Sequence, residues 1–215
     1  MYKIIKFFTG LFPENIQNWI RCTRSRIFYN LIIFFWKIKG KYLPPPHEVK
    51  QKIIHDYRKK FNYNILVETG TYRGDMVYAQ RRFFKKIISV ELSETLWQKA
   101  VKRFKKNNKI KLFQGDSGKL MSEIMKEIDQ PAIFWLDGHY CAGISTKGNT
   151  ECPIYDELDA IFKAKKFNHV LLIDDARCFI GKNDYPTIDE LSEYVRKNNP
   201  ASEFEVKDDI IRILH

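Results

Sequence analysis

Acidic side chains recur along this 215-residue chain directly after short apolar runs. Five of these runs are typical of buried strands, and each one ends at an Asp or a Glu. Ligands of open α/β sheets bind beyond the carboxyl ends of the strands, so these acids predict one site with two kinds of chemistry. Some carboxylates would accept hydrogen bonds from a nucleoside, and others would hold a cation. The acids are Glu68, Glu91, Asp116, Asp137 and the pair Asp174–Asp175.

The first of these acids leads into a turn with glycines at positions 70 and 74, and a helical pattern begins at Asp75. Strand, glycine turn and helix place backbone N–H groups against a nucleotide-like ligand. The spacing is not the dinucleotide fingerprint, because Tyr72 stands where that motif has its middle glycine. A carboxylate at the strand end would repel a phosphate and suit a cationic or amino-bearing ligand. An ordinary βα turn of another doubly wound protein is the alternative interpretation.

The stretch Glu68-Thr69-Gly70-Thr71-Tyr72-Arg73-Gly74 resembles motif I of the class I S-adenosylmethionine (SAM) methyltransferases. Its residue pattern is most similar to that of the macrocin O-methyltransferase (TylF-like) family, and the resemblance covers residues 64–215. It implies a cofactor pocket in which the glycine turn faces the methionine part, Glu91 the ribose, and Asp116 with Ser117 the adenine. The cofactor-binding residues implied are Glu68, Gly70, Thr71, Gly74, Glu91, Asp116 and Ser117.

A second acidic group consists of Asp137, Asp174 and Asp175. Three carboxylates converging from neighbouring strand ends would repel one another unless a cation lay among them. Oxygen ligands select a hard ion such as Mg²⁺. By resemblance to TylF-like and catechol-type O-methyltransferases, this ion would bind substrate hydroxyls and lower their pKa. In the alternative without metal, Asp174 bonds the cofactor or backbone and Asp175 caps a loop.

His139 stands two residues after Asp137, where the TylF-like pattern has a second Asp. A neutral imidazole there could take the proton of an acceptor hydroxyl at physiological pH, so His139 and Asp137 are the predicted catalytic residues. His139 could instead ligate the metal or bond the substrate. A zinc site formed by His139, Cys141 and Cys152 is a further alternative, although the spacing lacks a zinc-site signature.

The apolar runs that end in these acids alternate with amphipathic stretches. Strands are predicted at 64–68, 86–91, 109–114, 131–137 and 168–174, and helices at 75–85, 94–107, 118–128, 153–165 and 187–198. Glu203–Lys207 and Ile210–Leu214, separated by Asp208-Asp209, predict a terminal hairpin. The predicted fold class is therefore α/β: a Rossmann-like, doubly wound, seven-stranded sheet, mostly parallel with a C-terminal antiparallel hairpin and with helices on both faces.

Composition divides the chain at Pro44-Pro45-Pro46, which cannot continue a helix. Residues 1–43 form a basic, apolar, helical appendage. Residues 44–63 form a linker and a leading helix, and residues 64–215 the methyltransferase domain. Four cysteines without paired short spacing favour a reducing, cytoplasmic setting.

The net charge of +11 is concentrated in the appendage and the leading helix. Residues 1–60 carry thirteen Lys/Arg and three Asp/Glu, a net +10, which leaves +1 for the rest. A near-neutral core argues against nucleic acid as a partner. The apolar run Ile27–Trp36 is too short to cross a bilayer, but its basic flanks suit a helix lying on the inner, anionic face of a membrane. Alternatively, residues 1–43 cap the domain or pair with a second copy in a homodimer.

These observations predict a SAM-dependent, Mg²⁺-assisted O-methyltransferase. The acceptor would be a hydroxyl of a sugar or another polyhydroxylated small molecule, and the choice of a sugar depends on the family resemblance alone. One alternative is a methyltransferase that acts on RNA or protein. Another is a membrane-associated binding module of the same fold without catalysis.

Overall fold

The computed structural model describes residues 13–138, 152–164 and 167–214. The chain divides into two compact units, Met1–Gln51 and Lys52–His215. The first unit contains helix α1 (Glu14–Ile38) and the start of helix α2 (His47–Phe61). Pro13 precedes α1, as suits a residue that lacks a backbone N–H. After α1, the Trp36 indole N–H donates to the Tyr42 carbonyl at 2.9 Å and fixes the turn that leaves the helix.

The second unit is an alternation of strands and helices. In chain order they are β1 (Ile65–Thr69), α3 (Asp75–Gln80), β2 (Lys86–Glu91), α4 (Glu94–Phe104), β3 (Ile110–Gln114), α5 (Ser117–Lys126), β4 (Ala132–Leu136), α6 (Ile154–Ala164), β5 (Val170–Ile173), a 3₁₀ turn (Ala176–Cys178), α7 (Ile188–Asn198), β6 (Glu203–Lys207) and β7 (Ile210–Leu214).

The seven strands form one sheet in the order β3-β2-β1-β4-β5-β7-β6. The pairs among β1 to β5 are parallel, while β7 runs antiparallel to both β5 and β6. The predicted fold class is confirmed, including the terminal hairpin. The chain winds outward from β1 through β2 to β3 and then returns to β4 on the other side. The switch point therefore lies between β1 and β4, which is where open α/β sheets form ligand crevices.

The sheet is covered on both faces because side chains of its central strands alternate between two cores. In β1, Ile65 and Val67 pack with α5, α6 and α7, whereas Leu66 packs with α2, α3 and α4. All five residues of β1 and all five of β4 are buried. Burial on both faces explains why these strands read as continuous apolar runs in the sequence.

Helix α3 is shorter than the sequence predicts, since it ends at Gln80 and not near residue 85. The backbone N–H groups of Phe83 and Phe84 donate to the Gln80 carbonyl, and Phe84 is almost fully buried. The N–H groups of Lys85 and Lys86 then bond the Asn64 carbonyl. Insertion of Phe84 into the core and this return to the sheet end the helix early.

Candidate active site

The glycine turn packs directly against the end of β4. Gly70 has φ +84°, and a Cβ there would lie 2.3 Å from the Asp137 carbonyl oxygen. The backbone N–H groups of Gly70 and Thr71 donate to the Val90 carbonyl at 2.9 and 3.0 Å. Glycine is therefore required at position 70 both by backbone conformation and by space. These two N–H groups bond the protein itself, whereas the sequence predicts that N–H groups of this turn face a ligand.

The second glycine of the turn packs against helix α4. Gly74 has φ +71°, and a Cβ there would lie 2.7 Å from the Phe104 ring. The Gly74 N–H donates to the Thr71 carbonyl at 2.7 Å. An ion pair of 2.9 Å between Arg103 and Asp75 joins α4 to the start of α3. The protein itself therefore fixes the turn on two sides, by the end of β4 at Gly70 and by α4 at Gly74.

Glu91 at the end of β2 fastens the middle of the glycine turn. Its Oε2 accepts from the Tyr72 N–H at 2.6 Å, and its Oε1 accepts from the Ser93 N–H at 2.9 Å. The carboxylate is nearly buried, and burial raises its pKa while these N–H groups lower it. A carboxylate oxygen has two lone pairs, so each oxygen can still accept a hydroxyl of a ribose.

Glu68 differs from the charged carboxylate that the sequence predicts at this strand. Its carboxyl is buried and bonds the Ser89 hydroxyl, which in turn bonds the Thr71 hydroxyl at 2.6 Å. Burial raises the pKa of Glu68 to about 8, so the neutral form predominates at pH 7. In this conformation Glu68 and Thr71 support the glycine turn from beneath through Ser89.

Asp116 and Ser117 begin helix α5 at the end of β3. The Asp116 side chain accepts from the Gly118 N–H at 3.0 Å and caps the helix. Ser117 is nearly buried. The Gly115 N–H donates to the Glu91 carbonyl at 3.0 Å, so the ends of β2 and β3 are directly joined. This bond brings Asp116 and Glu91 to the same edge of the sheet, as the sequence predicts.

Asp137, at the end of β4, is joined to β1 through Thr69. The Thr69 hydroxyl accepts from the N–H groups of Asp137 and Gly138, both at 3.2 Å. The Asp137 N–H also donates to the Thr69 carbonyl at 3.1 Å. The ends of β1 and β4 are therefore joined by hydrogen bonds from the Asp137 and Gly138 backbone to Thr69.

Glu157 on helix α6 is a buried acid near this crevice that the sequence interpretation missed. Its side chain is fully buried, and neither carboxylate oxygen meets hydrogen-bond geometry with any described residue. Burial raises its pKa to about 7, and the nearby hydroxyls of Ser117 and Thr69 lower it. Both hydroxyls also lie close to Gly138, because a Cβ added at that glycine would be 3.1 Å from each of their oxygens. Glu157 thus lies beneath the junction of β1, β4 and α5.

The sequence contained signals for these missed residues. Glu157 belongs to an apolar face of α6 with Ile154, Leu158 and Ile161. Burial of an acid is costly, so an acid on such a face indicates a polar partner or a functional role. Ser89 interrupts the apolar run of β2, and it is fully buried there. A polar side chain inside a buried strand predicts a hydrogen-bonded partner, which is Glu68.

The predicted magnesium triad does not form among the described residues. Asp175 has φ +55°, and its carboxylate bonds the Arg177 guanidinium at 2.8 Å. Arg177 also pairs with Asp209. Asp174 is fully buried and accepts the Asp175 N–H at 2.9 Å, as in the alternative without metal. Throughout the described ranges, no three His, Cys, Asp or Glu side chains, including those of Asp137, Asp174 and Asp175, could hold a metal ion.

Two residues of the predicted catalytic and zinc sites, His139 and Cys141, lie outside the described residues. All of residues 139–151 lie outside the described residues. Cys152 is described, and it is a buried free thiol. The assignments of His139 as base and of the zinc alternative therefore remain predictions.

Several solved structures share this fold. A methyltransferase from Podospora anserina with S-adenosylhomocysteine (SAH) bound aligns with a TM-score of 0.56 and 14% identity, over 94% of this chain and 96% of its own. An O-methyltransferase from Bacillus cereus in complex with SAH gives 0.57 and 13%, over 87% and 90%. The O-methyltransferase TomG from Streptomyces achromogenes, involved in tomaymycin synthesis and in complex with SAM, gives 0.55 and 12%, over 98% and 94%.

These similarities show that the chain has the Rossmann-like fold of class I SAM-dependent methyltransferases. At such low identity they establish the fold alone, and none of them points to the TylF-like family in particular. No protein-family model matches the sequence, and no curated protein matches it.

Proposed function

We propose that the protein is a SAM-dependent O-methyltransferase that acts on a hydroxyl of a sugar or another polyhydroxylated small molecule. The observation that carries this proposal is the junction of Glu91 with the glycine turn at the carboxyl edge of the sheet. The fold supports it, because the neighbours described above include O-methyltransferases with SAM or SAH bound. The choice of a sugar is supported only by the resemblance of the Glu68–Gly74 stretch to the TylF-like family.

The described residues fit SAM by their chemistry. Glu91 has lone pairs left for two ribose hydroxyls after it has accepted two backbone N–H groups. Asp116 uses one oxygen for its helix cap, which leaves its other oxygen to accept the adenine amino group. The absence of a Cβ at Gly70 keeps the backbone of the turn close to the end of β4. Glu68 and Thr71 would contribute indirectly, by holding the turn in place.

When bound, SAM supplies an activated methyl group on a sulfonium. The acceptor oxygen would form the new bond to the methyl carbon while the bond from that carbon to sulfur breaks. A base must then receive the hydroxyl proton, and we assign this role to His139 or Asp137, which follow the end of β4. The described carboxylates do not fit a magnesium site, so Mg²⁺ has no step in this mechanism.

A methyltransferase that acts on RNA or protein is the second candidate. The near-neutral charge of residues 61–215 opposes RNA, because phosphate neutralisation needs a basic surface. A binding module without catalysis would keep SAM binding and lack turnover. Substitution of His139 or Asp137 separates an enzyme from a binding module. In an enzyme it lowers turnover and leaves cofactor binding intact, because catalysis requires a proton acceptor and cofactor binding does not.

The experiment is an incubation of the protein with methyl-labelled SAM and panels of sugars, polyols, RNA and protein. We expect label in an ether linkage to a polyhydroxylated acceptor. His139→Ala or Asp137→Asn should lower turnover while SAH binding stays within about threefold of wild type. Label on RNA or protein would replace the proposed acceptor class. SAH binding without transfer to any acceptor in the panel would favour the binding module.

A further inference from the structure

We propose that helix α1 is a docking element that lies along an anionic lipid surface with its apolar side among the acyl chains. The first observation is the exposure of eight large apolar side chains on this one helix, between 37% and 68% each. Single exposed apolar residues are ordinary, but eight of them on one helix mark an interaction surface. The eight residues are Ile16, Trp19, Ile27, Phe28, Leu31, Phe34, Phe35 and Ile38.

The second half of α1 arranges its exposed residues as a stripe. Ile27, Leu31, Phe34, Phe35 and Ile38 recur at spacings of three or four residues, which places them on one side of the helix. The stripe runs for about 16 Å along the helix axis. Ile33 and Trp36 point away from the stripe and are buried. The exposed apolar side chains in this half of α1 therefore lie on one side of the helix.

Basic residues stand at both ends of the stripe. Arg21, Arg24 and Arg26 precede it, and Lys37, Lys39 and Lys41 follow or overlap its end. Residues 13–43 contain only one acid, so this segment carries a net charge of +5. Long basic side chains reach lipid phosphates while the apolar side inserts below them, the arrangement of an interfacial helix.

The charge favours lipid over a second copy of this chain. Two stripes facing each other would bring two segments of charge +5 together, and like charges oppose that contact. An anionic lipid surface offers both an apolar interior and neutralising headgroups, and the exposed Trp19 and Phe side chains suit its interfacial region. Across the described ranges, no helix has the length and apolarity to cross a bilayer. The proposed helix therefore lies in the surface.

The proposal is tested by flotation of the full-length protein with phosphatidylcholine vesicles, with and without phosphatidylserine. Wild type should float with the phosphatidylserine vesicles, and high salt should weaken the binding. Ile27→Ser/Phe34→Ser removes two stripe residues, and Lys37→Glu/Lys39→Glu reverses charge at its end. Each double variant should lower the bound fraction at least tenfold, with an unchanged unfolding midpoint.

A matched control removes the same number of exposed apolar residues from the second unit, as Ile180→Ser/Val206→Ser. This variant should float as wild type does. The proposal is overturned if wild type fails to float with phosphatidylserine vesicles, or if both α1 variants float normally. A dimer that is lost in Ile27→Ser/Phe34→Ser, without vesicle binding, would assign the stripe to a second copy. Because the readout is flotation, failure here leaves the proposed methyl transfer untouched.

Discussion

The backbone N–H of Tyr72 donates a hydrogen bond of 2.6 Å to Oε2 of Glu91. This bond joins the glycine turn after β1 to the acid that ends β2, so the two predicted parts of the cofactor site form one structural unit. The other oxygen of Glu91 bonds the Ser93 N–H. A ligand that bonds Glu91 therefore meets a carboxylate whose position is already fixed.

Gly70→Ala should abolish the site. The new Cβ would lie 2.3 Å from the Asp137 carbonyl oxygen, and φ +84° is unfavourable for alanine. We expect destabilisation by roughly 3 kcal/mol or more, because overpacking adds to the backbone strain. SAH binding should be lost.

Gly40→Ala is the control for this substitution, because Gly40 has φ +80° and a Cβ there would meet no atom within 4 Å. It should cost only the backbone strain, about 1–2 kcal/mol. Urea denaturation measures both variants. Equal costs for the two would contradict the close contact of Gly70 with Asp137.

Glu157→Gln should make stability less dependent on pH. The pKa of Glu157 is raised to about 7 in the folded protein, from an ordinary value of 4.5. The folded protein therefore bears no penalty from this group below about pH 4.5. Its stability falls as pH rises from about 4.5 to about 7, and above that the loss is complete. The unfolding temperatures of wild type and variant should lie closest near pH 5, and wild type should fall behind at pH 8.

Glu123→Gln is the matched control, because Glu123 lies on the neighbouring helix α5 and is exposed. Its dependence of unfolding temperature on pH should follow that of wild type. If Glu157→Gln also follows wild type from pH 5 to 8, Glu157 does not titrate as a buried acid.

The buried chain Glu68–Ser89–Thr71 should behave as one unit. Ser89→Ala leaves the Glu68 carboxyl and the Thr71 hydroxyl without their shared partner, at a cost of roughly 1–3 kcal/mol. Thr71→Val removes a hydroxyl at nearly constant shape. In a double-mutant cycle by urea denaturation, the combined variant should cost less than the sum of the single variants. Additive costs would mean that the three side chains are not coupled.

Arg177→Met should destabilise the end of β5 more than Arg177→Lys does. The guanidinium bonds both Asp175 and Asp209, and Asp209 is nearly fully buried. Loss of the cation leaves that carboxylate without its ion-pair partner, so we expect roughly 1–3 kcal/mol for Arg177→Met after allowance for the partial exposure of Arg177. Lysine keeps the charge and should recover part of the loss. Thermal unfolding at pH 7 would oppose this account if the two variants were equally stable.

The sequence predicts the strands well because β1, β4 and β5 are buried on both faces and so appear as unbroken apolar runs. The edge positions of Glu91 and Asp116 follow from that pattern. The direction in which a side chain points after the end of its strand cannot be predicted from that pattern. Asp175 adopts φ +55° and its carboxylate bonds Arg177, and no run of residue types predicts either feature.

Glu68 illustrates a second limit of the sequence. The predicted strand ends at Glu68, whereas β1 continues for one more residue to Thr69. The charge of Glu68 at neutral pH depends on burial and on the partner Ser89, which lies on another strand. The 25-residue length of α1 was also not predicted, because Arg21, Arg24 and Arg26 interrupt the apolar pattern that marked Ile27–Trp36.

The central claim is that this edge of the sheet binds SAM, and calorimetric titration with SAH tests it most directly. Wild type should bind SAH with micromolar affinity. Glu91→Ala should weaken binding by about tenfold or more, since it removes the ribose acceptor and the clamp on Tyr72. Glu94→Ala removes an exposed carboxylate three residues away and should bind as wild type does. Absence of SAH binding by folded wild type would contradict the account.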